Sequence, residues 1–270
     1  MMLISSRANP LFKRLRALAA SSQRQRREGV ALLEGTHLAE AFLNAGGRPD
    51  LCIVARGAAA RPEIARLIAR LGALDDGADR VTCLDDALFD QVSPVANGGV
   101  GVMVMVAAPR AVLPERVAAR CVVLDGVQDA GNAGSILRSA AAAGIRYAFC
   151  MPGTANVWST KVLRAAMGAH FEMTIVEDVA PAALAERLAV PVAITDSHGS
   201  ASIHAADLRP DLAWVFGNEG AGVTPAWRGR AALRLTIPQS GRIESLNVAA
   251  AAAVCLFEQC RQQAAERTPA

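Results

Sequence analysis

Apolar positions 11, 12, 15 and 18 recur at helical spacing within residues 8–20, with basic side chains between them, which predicts an amphipathic helix. VALLEG follows as a short strand ending in Gly35, then THLAEAFLNAGG as a helix with Thr36 as N-cap and Gly46 as stop. DLCIVA (50–55) reads as a strand, RPEIARLIARLG as a helix opened by Pro62, and RVTCL (80–84) as another strand. GGVGVMVMVAA (98–108) is a strand with a glycine-rich lead. Alternation of strand and helix over 28–108 predicts a small α/β sandwich.

The segment APRAVLPERVAAR (108–120) has two prolines and no periodicity, which suits a linker. Alternation then restarts with cleaner elements. CVVLDG is a strand, NAGSILRSAAAAG a helix with a glycine stop, RYAFCM a strand, STKVLRAAMG a helix, FEMTIVE a strand and APAALAERLA a helix. PVAITD, LAWVFG and RLTIP are strands, and LNVAAAAAVCLFEQC is the last helix. Short apolar runs separated by helices indicate a parallel sheet covered on both faces. A chain of 270 residues therefore divides into a first domain over 1–107, a linker over 108–119 and an α/β domain over 120–270.

Composition adds a basic lead. Residues 1–27 carry Arg7, Lys13, Arg14, Arg16, Arg24, Arg26 and Arg27 and no acid, although the net charge of the chain is only +3. Such a block suits a polyanion, because each phosphate neutralised releases counterions. The bland alternative is a solvated helix face in a chain that uses 26 Arg and two Lys throughout. Six cysteines form no CxxC pair and no ligand cluster with histidine, so they read as small core residues in a reducing compartment, with no metal expected. No apolar run reaches membrane-span length and residues 1–27 lack a signal-peptide core, so a cytoplasmic location is expected.

Three polar stretches do not serve packing. In LDGVQDAGNAGSILRSA (124–140), Asp125, Asp129, Asn132 and Arg138 sit at or beyond the carboxyl end of a strand, where open α/β sheets place ligands. Asn132 also suits an N-cap for a helix starting at Ala133, and Arg138 a surface position. In WVFGNEGAGVTP (214–225), three glycines surround Asn218 and Glu219 in a G-x-x-G-x-G pattern, unlike the G-x-G-x-x-G of a nucleotide loop. A tight turn explains the glycines but not a glutamate among them. In LTIPQSGRIESLNVAAAAAVCLFEQC (235–260), a strand runs through a loop into a helix opened by Ser245-Leu246-Asn247, whose unpaired N–H groups could hold an anion or cofactor. Ser245 alternatively serves as the N-cap, and Arg242 and Glu244 as loop charges.

Taken together and in this order, the three stretches resemble the SpoU (TrmH-type) branch of the SPOUT RNA methyltransferases. The first motif matches through Asn132 and Arg138, the second through Gly217, Glu219, Gly220 and Gly222, and the third through Ile237, Pro238, Ser245, Leu246 and Asn247. The match spans 121–258, with one departure at Ala130, where the family often has Pro. Residues 1–106 look like the small ribosomal-protein-like RNA-binding domain of many such enzymes.

The resemblance implies an α/β fold with a deep trefoil knot at the carboxyl end of the sheet, and a homodimer through the C-terminal domain. It implies transfer of a methyl group from S-adenosylmethionine to a ribose 2′-hydroxyl of RNA. Ribosomal RNA (23S) is favoured, with transfer RNA or a non-catalytic RNA-binding relative as alternatives. Gly217, Ile237, Leu246, Asn247 and Thr195 would contact the cofactor. Arg138, Asn132, Ser245, Glu219 and Asn247 would form the catalytic set. Arg138 would act on the reacting ribose and adjacent phosphate as base or oxyanion stabiliser, and Arg7, Lys13, Arg14 and Arg16 would contact RNA. A nicotinamide-dependent dehydrogenase is the other α/β reading, and the missing early glycine fingerprint argues against it.

Overall fold

Short runs of β-branched and leucine residues bounded by glycine or proline become strands in the computed structural model, and the alanine-rich segments between them become helices. The structure describes residues 2–74, 80–93, 101–196, 201–241 and 245–267. The glycine-rich lead at 98–100 and the charges Arg242 and Glu244 lie outside the described residues.

Two units emerge, divided at Pro109 and Arg110. The first holds β1 (Met2–Ile4), α1 (Pro10–Ala19), α2 (Ser22–Glu28), β2 (Val30–Glu34), α3 (Thr36–Asn44), β3 (Leu51–Ala55), α4 (Pro62–Gly72), β4 (Val81–Leu84), α5 (Asp86–Val92) and β5 (Val102–Ala107). Its five strands lie in the order β1-β4-β3-β5-β2. β5 runs antiparallel to both neighbours, whereas the β1–β4 and β4–β3 pairs are parallel. Periodicity did not show β1, α2 and α5, because elements of three to seven residues contain too few repeats. The predicted cap at Thr36 is corrected. Gly35 is the N-cap of α3 at φ 93° and donates its N–H to the Val102 carbonyl at 3.0 Å, a backbone state that glycine takes without strain.

The second unit begins with β6 (Cys121–Asp125), α6 (Ala130–Ala142) and β7 (Tyr147–Cys150). The chain then contributes Trp158–Phe171, with α7 (Thr160–Ala166), to the first unit, where Gln25 donates to the Thr160 hydroxyl at 3.4 Å. Back in the second unit follow β8 (Thr174–Val176), α8 (Pro181–Ala185), β9 (Val192–Thr195), β10 (Ala201–Ser202), β11 (Ala213–Gly217), α9 (Pro225–Arg228), β12 (Leu233–Thr236) and α10 (Val248–Arg267).

All strand pairs in this sheet are parallel, in the order β10-β12-β9-β11-β6-β7-β8. Alternate residues point to opposite faces. Val123, Phe149, Ile194 and Val215 pack on one face with Trp227 of α9. Buried Trp214 belongs to the alternate set and donates its indole N–H to Gln259 of α10 at 2.9 Å, while α10 also packs along α6.

Residues 110–119, expected as a linker, cluster with the second unit. Val117 is 3% exposed and bridges Leu188, and Arg187 donates to the carbonyls of Leu113 and Pro114. Two prolines removed the periodic signal there without removing the packing.

Candidate functional site

Parallel strands end at a common edge, and β9, β11 and β12 bring their carboxyl ends to one cleft of about 330 Å³. β11 ends in Gly217, and Asn218 and Gly222 then exchange backbone hydrogen bonds at 3.0 and 2.8 Å, closing a tight hairpin. A Cβ on Gly217 would fall onto the Gly222 and Val223 backbone, and Gly222 itself holds φ 69°. Both positions therefore need glycine.

The hairpin is latched to the end of β6. Thr224 donates its N–H to the buried Asp125 carboxylate at 2.7 Å, and the Asn218 amide donates to the Gly126 carbonyl at 3.0 Å. At its tip, Glu219 accepts the backbone N–H groups of Gln128 at 3.2 Å and Asp129 at 3.1 Å, and the Asn132 side-chain amide at 3.0 Å. Partial desolvation pushes the Glu219 pKa up, but the Asn132 amide and backbone N–H groups outweigh it and hold the carboxyl below its ordinary value. Glu219 is an anion at neutral pH, suited to fixing the loop and not to donating a proton.

Asn132 carries the connection onward. Its carbonyl oxygen accepts the Asn247 amide at 2.9 Å, and the Asn247 oxygen accepts the N–H groups of Ala249 and Ala250 at the start of α10. Glu219, Asn132 and Asn247 thus form one chain of hydrogen bonds across three sequence-distant segments. Two cap assignments are corrected here. Asp129 caps α6, accepting the Asn132 N–H at 2.7 Å, so Asn132 lies inside the helix with its side chain available. Asn247, not Ser245, takes the first N–H groups of α10. Ser245 makes no hydrogen bond among the described residues and lines the cleft.

Thr195, Gly217, Ile237, Leu246 and Asn247 all line the cleft, as does Glu219. Leu246 is 40% exposed, an apolar side chain left on the wall. Arg138 is elsewhere: it is exposed on α6, does not line the cleft, and has no hydrogen bond or ion pair among the described residues. On α1 and the loop ahead of it, Arg7, Lys13, Arg14 and Arg16 are exposed, but Arg14 is held by Glu28 at 3.0 Å, which Arg24 also contacts at 2.7 Å. The sequence reading missed Asp196, Thr236 and Gln239, which also line the cleft. Their signal was position alone, since each follows or ends a parallel strand. No described helix is long and apolar enough to cross a membrane.

Comparison with known proteins agrees with this geometry. Residues 119–257 match the model of the SpoU rRNA Methylase family. An uncharacterized tRNA/rRNA methyltransferase of Synechocystis is 32% identical over 98% of this chain and 96% of its own length. The 23S rRNA (guanosine(2553)-2′-O)-methyltransferase RlmP of Bacillus subtilis is 37% identical, with 52% of this chain aligned to 57% of that protein. The 23S rRNA (guanosine-2′-O-)-methyltransferase RlmB of Bordetella pertussis is 36% identical over 52% of this chain and 59% of its own. The match therefore spans little more than half the length of those two curated relatives.

Among solved structures, an RNA 2′-O ribose methyltransferase superposes with a TM-score of 0.81 at 28% identity, covering 97% of this chain and 100% of that one. The SpoU methyltransferase AviRb of Streptomyces viridochromogenes, in complex with AdoMet, superposes with a TM-score of 0.80 at 26% identity, covering 95% and 100%. By family model, near full-length relative and fold, this chain belongs to the SpoU rRNA methylase family.

Proposed function

We infer that this protein transfers a methyl group from S-adenosylmethionine to a ribose 2′-hydroxyl of RNA, with 23S ribosomal RNA as the substrate. The observation that carries the reading is the Glu219–Asn132–Asn247 hydrogen-bond chain, joining three segments beside the cleft of about 330 Å³. Its size falls at the lower end of small-ligand pockets. Its lining fits the cofactor: backbone at Gly217 and Ile237, apolar cover from Leu246, and the hydroxyls of Thr195 and Ser245. When bound, the cofactor supplies an electrophilic methyl group on a sulfonium.

The protein's own contribution is alignment and charge. Ser245 and the Asn132–Asn247 pair orient the ribose. Glu219 holds the loop ahead of α6 in register with β11. The Arg138 guanidinium stabilises the developing oxyanion, while an adjacent phosphate helps accept the hydroxyl proton.

Homodimerisation through the second unit belongs to the same reading. Phe257 on α10 is 50% exposed and leaves apolar surface for a second copy. Arg138, which does not line the cleft of its own chain, then serves the cleft of the partner. The deep trefoil knot also belongs here. Thr236, Ile237, Gln239 and Ser245 to Asn247 line the same cleft as the β11 hairpin, although β12 lies beyond β9 in the sheet. Residues 1–107 serve as the RNA substrate-binding domain and 120–270 as the methyltransferase domain, and an RNA substrate sets the protein in the cytoplasm.

Mapping of 2′-O-methyl marks in RNA from a deletion strain tests the substrate: one mark in 23S rRNA should vanish, and loss confined to tRNA would overturn the rRNA assignment. In vitro, Arg138→Ala should abolish transfer with S-adenosylmethionine binding near normal. Mixing inactive Arg138→Ala and Ser245→Ala chains should restore part of the activity through heterodimers with one intact site. Undiminished turnover by Arg138→Ala would remove that residue from the mechanism.

A further inference from the structure

The basic lead contains a cavity of its own. At the junction of α1 and α2, a space of about 600 Å³ is lined by Ala17, Ser21, Gln23, Arg24, Arg26 and Arg27. It lies wholly within the first unit. Its volume is that of a small-ligand site and exceeds the need of a lone ion. Three of its six lining residues are arginines, and the other three are neutral.

Local hydrogen bonds fix the walls. Ser21 caps α2, its hydroxyl accepting the Arg24 N–H at 3.2 Å. Buried Gln25 donates its side-chain amide to the Leu18 carbonyl at 2.9 Å and to the Thr160 hydroxyl at 3.4 Å, which pins α2 against α1 and α7. Glu28 accepts from Nε of Arg14 at 3.0 Å and of Arg24 at 2.7 Å, and so ties the two helices together a second time. The Arg24 guanidinium gives its Nε to Glu28, and its terminal nitrogens make no hydrogen bond among the described residues. Arg27 is exposed, and its guanidinium has no hydrogen bond or ion pair among the described residues.

A guanidinium presents a planar fork of donors that matches two oxygens of one phosphate. Like charges gathered in a concave site focus their field on an anion. Resting on the RNA substrate proposed above, we propose that this cavity seats a phosphodiester of the RNA backbone. Arg27 and the terminal nitrogens of Arg24 grip the phosphate, and Ser21 and Gln23 supply further donors. Such a contact is blind to base identity, so it sets the position of the RNA and leaves the choice of nucleotide to other contacts.

Filter binding of 23S rRNA from the deletion strain, across a salt series, tests this on the full chain. Arg27→Gln should weaken binding about five-fold and shrink the log–log salt slope by about 0.7 to 0.9, the scale of one phosphate contact. Arg27→Lys should keep the slope, because the charge is kept. Arg66→Gln removes an equal charge from exposed α4 of the same unit and should change neither quantity. Equal losses in Arg27→Gln and Arg66→Gln would overturn the inference, since general attraction would explain both. A slope lost in Arg27→Lys as well would overturn it, because charge would then not be the cause. Calorimetric binding of inorganic phosphate, with RNA affinity unmoved in Arg27→Gln, would overturn it in favour of a free anion. Wild-type protein that shows these RNA effects but binds no S-adenosylmethionine would overturn the methyl-transfer reading and support the cavity assignment.

Discussion

Asn247 donates its side-chain amide to the Asn132 carbonyl oxygen at 2.9 Å, across 115 residues of sequence. Each partner has a second commitment. The Asn132 amide is given to Glu219, and the Asn247 oxygen caps α10. An asparagine has both donor and acceptor ends, so it can relay a fixed orientation from one loop to the next, which a carboxylate cannot.

Asn132→Asp is therefore more damaging than its size suggests. It replaces the amide donor with a second carboxylate oxygen facing Glu219, where 3.0 Å separates the present partners. One of the pair must then bind a proton or the loops must part. Methyl transfer should fall at least about 100-fold, and stability by about 1 kcal/mol. Single-turnover assays and urea denaturation would check both; near wild-type transfer would sink the relay.

Glu219 gives a pH signature. Its folded-state pKa is lowered, so its contribution to stability is fully present above its ordinary value of 4.5 and is lost as pH falls through the lowered value. Because the carboxylate is largely exposed, the effect is small after solvent screening. Wild-type protein should lose about 2 °C of melting temperature relative to Glu219→Gln between pH 5 and the acid end. Parallel melting curves for the two proteins would contradict this.

Gly217→Ala should collapse the hairpin. The added Cβ meets backbone at Gly222 and Val223, which cannot rotate away as a side chain can. A loss of about 2–3 kcal/mol is expected, together with loss of cofactor binding. Gly220→Ala is the control, because the nearest atom to its Cβ is the Asn218 side-chain oxygen at 3.6 Å, an ordinary contact. Equal behaviour of the two variants would refute the close-approach argument.

The basic lead predicts a salt effect. Arg7, Lys13 and Arg16 are exposed, whereas Arg14 is engaged by Glu28. The triple alanine variant of the three should bind RNA more weakly. Its log–log salt slope should shrink by about 0.7 for each phosphate contact removed. Arg14→Ala should change binding less, and calorimetry of S-adenosylmethionine should be indifferent to all four. A salt slope unchanged in the triple variant would move the RNA surface elsewhere, with the α2 arginines Arg24, Arg26 and Arg27 next in line.

The alternating pattern of 121–258 was legible as a parallel α/β sheet because each buried strand is a short apolar run with its own stop signal. The site residues were legible only through their order, since Asn132, Glu219 and Asn247 each suit an ordinary cap or turn. Indeed, Asn247 does cap α10 while also serving the chain to Asn132. The caps at Asp129 and Asn247 were misplaced because side-chain capping depends on which N–H groups the fold leaves unpaired.

Local chemistry in the sequence therefore determined most of the strands and the longer helices, the glycine hairpin at 217–222 and the acidic, amide and hydroxyl side chains available to a site. Tertiary structure alone decided that Glu219, Asn132 and Asn247 share one hydrogen-bond chain, that Arg138 stands outside the cleft of its own chain, and that Asp196 stands on its wall. The physical reason is separation along the chain. Periodicity reports the neighbours of a residue within a turn or a pleat, whereas these groups meet only where parallel strands from distant segments end at a common edge.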